Sequence, residues 1–178
     1  MAAQSKNRGF FPNKNSKKVE YKLLSSKELI VIYNYLEEQF GIPEAELNKY
    51  EFIKRGLDLW ACTKKSLQVI QFEGIGLKLS TIGLRAMRNP FEGNKKITTN
   101  FAQAFGMYAT KNTYELKEDE LLPYLRGQDL ELESDIGRGH RIIKYNNNIV
   151  GVGHAQETKI INQIPKSRFI KNWNIKSV

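Results

Sequence analysis

The sequence has 178 residues, of which 40% are hydrophobic and 26% are charged, with 28 lysines and arginines against 19 aspartates and glutamates. A single cysteine and two histidines exclude a disulfide framework and a zinc site built on cysteine pairs, and they leave few ligands for metal-dependent hydrolysis. No apolar run approaches the roughly 20 residues that span a membrane, and the N-terminus lacks the apolar core of a signal peptide. We therefore expect a basic cytoplasmic protein that acts without a metal, a cofactor or a membrane.

The positive charge is concentrated at the two ends of the sequence. Residues 1–27 carry 7 basic and 1 acidic side chains, residues 28–136 carry 13 and 17, and residues 137–178 carry 8 and 1. Basic ends around an acidic middle indicate localised anion binding. Residues 1–19 have almost no apolar side chains, so we expect a flexible basic arm that either touches nucleic acid or serves as a solubilising tail.

The first predicted element is a helix that begins after Ser25. Ser25 and Glu28 have the spacing of a capping box, and Gly41 and Pro43 are typical of a helix end. The apolar residues that recur at helical spacing between them are Leu29, Ile32, Tyr33, Leu36 and Phe40.

Between residues 50 and 82 the pattern changes to short strands. Residues 57–62 and 67–72 alternate apolar with polar or small side chains, and glycines punctuate a third segment that ends in Arg85 and Arg88. Residues 98–110 fit a short helix and a strand equally well.

A second unit is predicted after residue 111. It starts with a strand at residues 113–116 and a short helix, which three acidic residues open, Pro123 limits and Gly127 ends. Strands follow at residues 130–132, 141–145, 149–152 and 159–164, with a turn of three asparagines at 146–148. Several short strands with tight turns favour a small closed or half-closed β-barrel. We therefore predict an α+β fold with a mixed α/β domain over residues 20–111 and a small closed or half-closed β-barrel over residues 112–178.

Each candidate catalytic residue in this sequence has a simpler explanation as a structural or surface residue. The Gly74-Ile75-Gly76 segment lacks the helix and the third glycine of a dinucleotide-binding loop, and Cys62 lies in an apolar strand. The carboxylates between Glu115 and Asp135 fit a helix start and one solvated face of a strand. No nucleophile elbow or Walker loop is present. We therefore expect that the protein is not an enzyme.

The C-terminal segment combines basic, aromatic and amide side chains. Cations attract phosphates, Tyr145, Phe169 and Trp173 offer stacking faces for unpaired bases, and amide side chains can read base edges. The alternative is a cationic barrel surface on which Phe169 and Trp173 pack against the core. The predicted RNA-binding residues are Arg138, Arg141, Lys144, Lys159, Asn162, Gln163, Lys166, Arg168 and Lys171.

Three segments of the second unit resemble the PUA domain, a small RNA-binding pseudobarrel: residues 125–130, 139–145 and 149–153. Residues 159–168 resemble the end of the PUA-like domain carried by some Nop/Sun-type RNA cytosine methyltransferases. The helix from Ser25 and the strands after it resemble the pre-PUA unit of Nip-type ribosome-biogenesis factors. The resemblance covers about residues 20–170 and implies an RNA surface that includes Lys159, Lys166 and Arg168. Nothing in the sequence resembles the methyl-donor fold or the catalytic cysteines of the methyltransferases.

These observations predict a non-catalytic protein that binds structured RNA, either an rRNA precursor or a tRNA. Its expected setting is ribosome biogenesis or RNA modification, with assembly or modification proteins as further partners. Two alternatives stay open. The protein is an adaptor whose acidic middle docks a basic partner, or it is an RNA-processing enzyme or the targeting subunit of one, such as a methyltransferase.

Overall fold

A computed structural model describes residues 21–71, 81–93 and 95–171, and this part of the chain forms two five-stranded sheets with helices packed around them. The helices are α1 (Ser26–Phe40), α2 (Glu44–Leu47), α3 (Lys64–Gln71), α4 (Thr99–Phe105) and α5 (Glu118–Leu125), with 3-10 turns at Gly106–Tyr108 and Lys166–Arg168. The strands are β1 (Tyr21–Leu23), β2 (Tyr50–Arg55), β3 (Asp58–Thr63), β4 (Leu84–Arg88), β5 (Lys96–Ile97), β6 (Thr113–Glu115), β7 (Leu130–Glu131), β8 (Gly139–Tyr145), β9 (Asn148–Gln156) and β10 (Lys159–Asn162). The predicted α+β class is confirmed. The predicted arm, the Gly74-Ile75-Gly76 segment and Trp173 lie outside the described residues.

Helix α1 has the capping box that the sequence predicts. The Ser25 hydroxyl accepts from the backbone N–H of Glu28, and the N–H of Ser25 donates to the Glu28 carboxylate at 2.8 Å. Gly41 ends the helix in the left-handed conformation, with φ +64°. The buried side chains of α1 are Ile32, Tyr33, Leu36 and Phe40.

The first sheet is antiparallel in the order β1-β2-β3-β4-β5. The strand predicted at residues 67–72 is wrong where the structure describes it, because helix α3 occupies Lys64–Gln71. The hydroxyl of Thr63 accepts from the N–H of Ser66 at 3.1 Å and so caps the first turn of α3. A run as short as residues 67–72 fits the hydrophobic period of a helix and that of a strand equally well. The capping bond from Thr63 favours the helix. The segment at 98–110, which fitted either structure, holds α4, with Thr98 as its cap.

The second sheet has the order β6-β8-β9-β10-β7 and curls into a half-barrel. Its β6–β8 pair is parallel and the other pairs are antiparallel. The turn between β8 and β9 uses the positive φ angles of Asn146 (46°) and Asn147 (62°), as the asparagine run predicts. Helix α5 spans two turns with Pro123 inside it, and its single fully buried side chain, Tyr124, donates a hydrogen bond to the carbonyl of Val152 at 3.0 Å.

The larger of the hydrophobic cores joins the two sheets. It contains α1, α4 and the first sheet, and it also includes Ile142 of β8 and Val152 of β9. A smaller core lies between α5 and the second sheet, around Tyr124 and Ile143. The domain boundary at residue 111 stays a prediction, and side chains from both of its sides share one core.

Two glycines of β9 make room for side chains of the last strand and the segment after it. A Cβ built on Gly151 would lie 2.8 Å from Cγ1 of Ile164, and one on Gly153 would overlap Cγ2 of Ile160. Gly153 is buried and Ile160 has no exposed surface. The Gly-x-Gly pattern on this strand is therefore a packing requirement.

Gly153→Ala should lower the free energy of unfolding by about 1–3 kcal/mol, because the added methyl group overpacks a closed core. Urea unfolding followed by tryptophan fluorescence measures this loss. Gly93→Ala is the matched control, since a Cβ at Gly93 meets no atom within 4 Å, and it should change the free energy by less than about 0.5 kcal/mol. Equal losses at the two positions would contradict the packing argument.

Candidate nucleic-acid interface

Two of the predicted RNA-binding cations are neutralised by carboxylates. Arg138 Nη2 lies 2.7 Å from Glu157 Oε1, and Lys159 Nζ lies 3.2 Å from Glu131 and 3.4 Å from Asp129. Arg138, Glu157 and Glu131 are largely exposed, and Lys159 and Asp129 are 41% and 37% exposed, so the pairs are weak. A phosphate must still compete with a carboxylate for each cation. The RNA role of Arg138 and Lys159 stays a prediction.

Two other predicted cations donate hydrogen bonds to main-chain carbonyls. Arg141 is only 8% exposed, and its guanidinium donates to the carbonyls of Ile136 (2.5 Å) and His140 (3.2 Å). Burial lowers the pKa of Arg141. Lys144 donates to the carbonyl of Ala109 at 3.1 Å, which ties β8 to the segment before β6. Both side chains therefore have a structural partner, and their RNA role stays a prediction.

The amide of Asn162 also has structural partners. Its Nδ2 donates to the carbonyls of Tyr124 (2.6 Å) and Gln128 (3.1 Å), and its Oδ1 accepts from the N–H of Ile164 at 2.8 Å. These bonds fasten β10 to the end of α5. A base would have to replace them in order to be read by Asn162, so the predicted base contact gains no support from this geometry.

The remaining predicted cations lie on an anchored segment after β10. The N–H of Ile170 donates to the carbonyl of Leu125 at 3.0 Å, and the ring of Phe169 packs on Gly127. The exposed cations of this segment, which we name the C-terminal basic turn, are Lys166, Arg168 and Lys171. Phe169 and Tyr145 are partly buried against the smaller core, which agrees with the alternative in which the aromatic residues pack rather than stack on bases.

A cleft of about 370 Å³ lies between the first sheet and the C-terminal basic turn. We name it the intersheet cleft. Arg168 and Gln163 line one side, and three cations of the first sheet line the other: Arg85 and Arg88 of β4 and Lys96 of β5. The other lining residues are Ile97, Thr98, Thr99, Asn100, Pro165 and Ser167, so no carboxylate is among them.

Sequence reasoning missed the three first-sheet cations. The acidic residues of the segment 28–136 outnumber its basic ones, which hides a local cluster in the average. A usable signal was present, because Arg85 and Arg88 flank the buried pair Ala86 and Met87 on one short strand.

The cations of the cleft have mostly neutral partners. Arg88 and Lys96 are directly opposite each other on β4 and β5, where like charges are unfavourable. Lys96 donates to the amide oxygen of Gln163, and burial, together with the charge of Arg88, lowers the pKa of Lys96. Arg168 donates to the amide oxygens of Gln103 and Asn100. Among the described residues, Arg85 is the one cleft cation with a carboxylate partner, Asp58, at 3.1 Å.

The two histidines form a pair beside Lys96. His140 of β8 and His154 of β9 are opposite each other, with ring centroids 5.0 Å apart. Burial, the charge of His154 and the charge of Lys96 lower the pKa of His140 to about 4, so its imidazole is neutral at pH 7. Within the described residues, no group of three histidine, cysteine or acidic side chains gathers to hold a metal ion, and no helix is long and apolar enough to cross a membrane.

Comparison with known proteins finds a family that is similar to the second unit. Residues 111–170 match the family described as the PUA domain of methyltransferase RsmF. The chain is 26% identical over 153 residues to the ribosomal RNA small subunit methyltransferase F of Aeromonas salmonicida (strain A449), covering 84% of this chain and 29% of the relative. It is 25% identical over 157 residues to the enzyme of the same name from Shewanella piezotolerans, covering 86% and 30%. The resemblance to a PUA domain and to RNA methyltransferases that carry one is confirmed.

These relatives correct the expectation that the protein is not an enzyme, because the proteins that it matches are named methyltransferases. The expectation relied on the lack of methyl-donor motifs in this sequence. The chain spans only about 29% of the length of the first relative. The lack of such motifs within it is therefore no argument against enzymatic activity.

Lys96→Met should raise the free energy of unfolding by about 0.2–1 kcal/mol, because it removes a half-buried cation that faces Arg88. Urea unfolding at low salt measures the change. Lys144→Met is the matched comparison and should lower the same quantity, because it leaves the carbonyl of Ala109 without its lysine partner. A loss of stability in Lys96→Met would show that its ammonium is a structural group.

The lowered pKa of His140 predicts a pH-dependent stability. The unfolded chain binds this proton at the ordinary pKa of about 6.5 and the folded chain only near 4, so acidification through this range favours unfolding. The urea midpoint of the wild type should fall between about pH 7 and pH 5. The urea midpoint of His140→Gln should fall less over the same range. Parallel curves for the two proteins would contradict the conclusion that His140 causes the pH dependence.

Proposed function

We propose that this chain is the RNA-binding unit of an rRNA-modification protein, and that the C-terminal basic turn contacts RNA phosphates. The observation that carries the proposal is the match of residues 111–170 to the PUA domain of an RNA methyltransferase. Within that region, the structure presents Lys166 and Arg168 as exposed cations on an anchored segment.

Phosphate contacts suit this segment for an electrostatic reason. Each neutralised phosphate releases condensed counterions, so cations without a nearby carboxylate supply most of the gain. Among the described residues, Lys166, Arg168 and Lys171 make no ion pair, whereas Arg138 and Lys159 do. The anchoring bond from Ile170 to Leu125 reduces the loss of conformational freedom on binding.

The relatives favour one class of RNA. Their name specifies the RNA of the small ribosomal subunit, so we propose small-subunit rRNA or its precursor as the substrate in preference to tRNA. We also propose that the protein works in the cytoplasm and takes part in the methylation of this RNA. In that setting, the chain holds the RNA while the modification takes place.

Lys166→Gln/Lys171→Gln should weaken binding to a small-subunit rRNA fragment about tenfold near 100 mM salt, because two phosphate contacts are lost. The slope of log affinity against log salt should become shallower by about 1.4 to 1.8. Fluorescence anisotropy at several salt concentrations, with tRNA and duplex DNA as competitors, measures both quantities.

Lys22→Gln/Lys27→Gln is the matched control, because it removes the same charge from exposed residues at β1 and α1. Its salt slope should stay close to that of the wild type. Arg138→Gln/Lys159→Gln should lose less affinity than the Lys166 and Lys171 variant, because carboxylates already neutralise those cations. Wild-type protein that binds none of the RNAs would favour the adaptor alternative.

A further inference from the structure

We infer that the intersheet cleft is a second phosphate site, which takes the backbone of one unpaired RNA strand. This inference rests on the proposed function and adds to it a contact from the first sheet. Arg85, Arg88 and Lys96 lie before residue 111, outside the segment that matches the PUA family. The cleft therefore extends the RNA surface beyond the PUA domain.

The first argument is the placement of charge on both sides of the cleft. Arg88 and Lys96 approach from the first sheet and Arg168 from the segment after β10. Arg85 also lines the cleft but is paired with Asp58, which is not among the lining residues, and no carboxylate is among them. An anion between them gains attraction from both walls, and the cleft walls exclude part of the screening solvent.

The second argument is the cost of this arrangement in the free protein. Arg88 and Lys96 are direct cross-strand neighbours, a placement that destabilises a sheet. Lys96 is also half-buried, and the partner of its ammonium is the neutral amide of Gln163. A cation that loses water without gaining a counter-charge is unfavourable. A bound phosphate relieves both the repulsion and the desolvation.

The third argument concerns the size and chemistry of the ligand. A volume of about 370 Å³ is at the small end of the range for ligand clefts, so it admits a segment of one strand and not a duplex. Proteins that bind single strands use positively charged grooves that follow the phosphate backbone. Ser167 supplies a hydroxyl. Gln163 supplies amide N–H donors, while its amide oxygen accepts from Lys96.

The test uses a short fluorescein-labelled single-stranded RNA of about a dozen nucleotides and the full chain. Arg88→Gln/Lys96→Gln should bind it about tenfold more weakly near 100 mM salt, with a salt slope shallower by about 1.4, since two single-strand phosphate contacts are lost. Arg88→Lys/Lys96→Arg keeps both charges and should bind within about threefold of the wild type. Lys22→Gln/Lys27→Gln again controls for total charge.

A second readout localises the ligand. In amide NMR spectra of the wild type, the RNA should shift the signals of Ile97 and Thr98, which line the cleft and lie outside the C-terminal basic turn. Inorganic phosphate is the parallel probe. If phosphate shifts these signals and RNA does not, the cleft is a small-anion site and the assignment to RNA is overturned.

The outcomes separate this inference from the proposed function. If Arg88→Gln/Lys96→Gln binds RNA like the wild type while Lys166→Gln/Lys171→Gln binds weakly, the cleft assignment fails and the proposed function stands. If the wild type binds no RNA, both fail. If both glutamine variants bind RNA weakly and the charge-retaining variant binds normally, the cleft assignment and the proposed function are both supported.

Discussion

The packing of the second sheet against the core of the first fixes the geometry of the intersheet cleft. Ile142 and Val152 complete a core whose other members come from α1, α4 and the first sheet. Gly106 permits this approach, because a Cβ there would lie 3.1 Å from Cγ2 of Ile142. The contact brings the end of β10 beside β5 and so creates the intersheet cleft. A rotation of one sheet against the other would separate Arg168 from Lys96.

The cationic surfaces of the second unit differ mainly in whether carboxylates neutralise their lysines and arginines, and less in how many of these residues they contain. Arg138, Lys159, Lys166 and Arg168 look alike in the sequence, since each is a basic residue near a strand end. The structure pairs the first two with carboxylates and gives Arg168 amide partners. An amide oxygen orients a guanidinium without cancelling its charge, so Arg168 keeps its attraction for phosphate.

Local interactions explain which parts of the fold were predictable. The cap of α1 depends on Ser25 and Glu28, three residues apart, and the β8–β9 turn depends on Asn146 and Asn147. The order of short glycine landmarks was enough to reveal the resemblance to a PUA domain. Helix α3 was missed because its apolar run is too short to separate the periods of a helix and a strand.

The candidate site was only partly predictable, because it depends on partners far apart in the sequence. The hydrogen bond between Lys96 and Gln163 joins residues 67 positions apart, and the bonds of Arg168 reach Asn100 and Gln103. The net charge of each sequence segment therefore placed the RNA-binding cations at the C-terminal end. It gave the middle segment the appearance of an acidic surface. The folded chain instead places three cations of that middle beside the basic end.

The arrangement of these two cationic surfaces has a consequence for RNA recognition. A single exposed cluster attracts phosphate from many directions, whereas phosphate contacts at several fixed positions set the orientation of the nucleic acid. The basic turn and the cleft share Arg168, so a strand that fills both must run from one to the other. In the proposed complex, two fixed phosphate positions on one shared core restrict the path of the RNA.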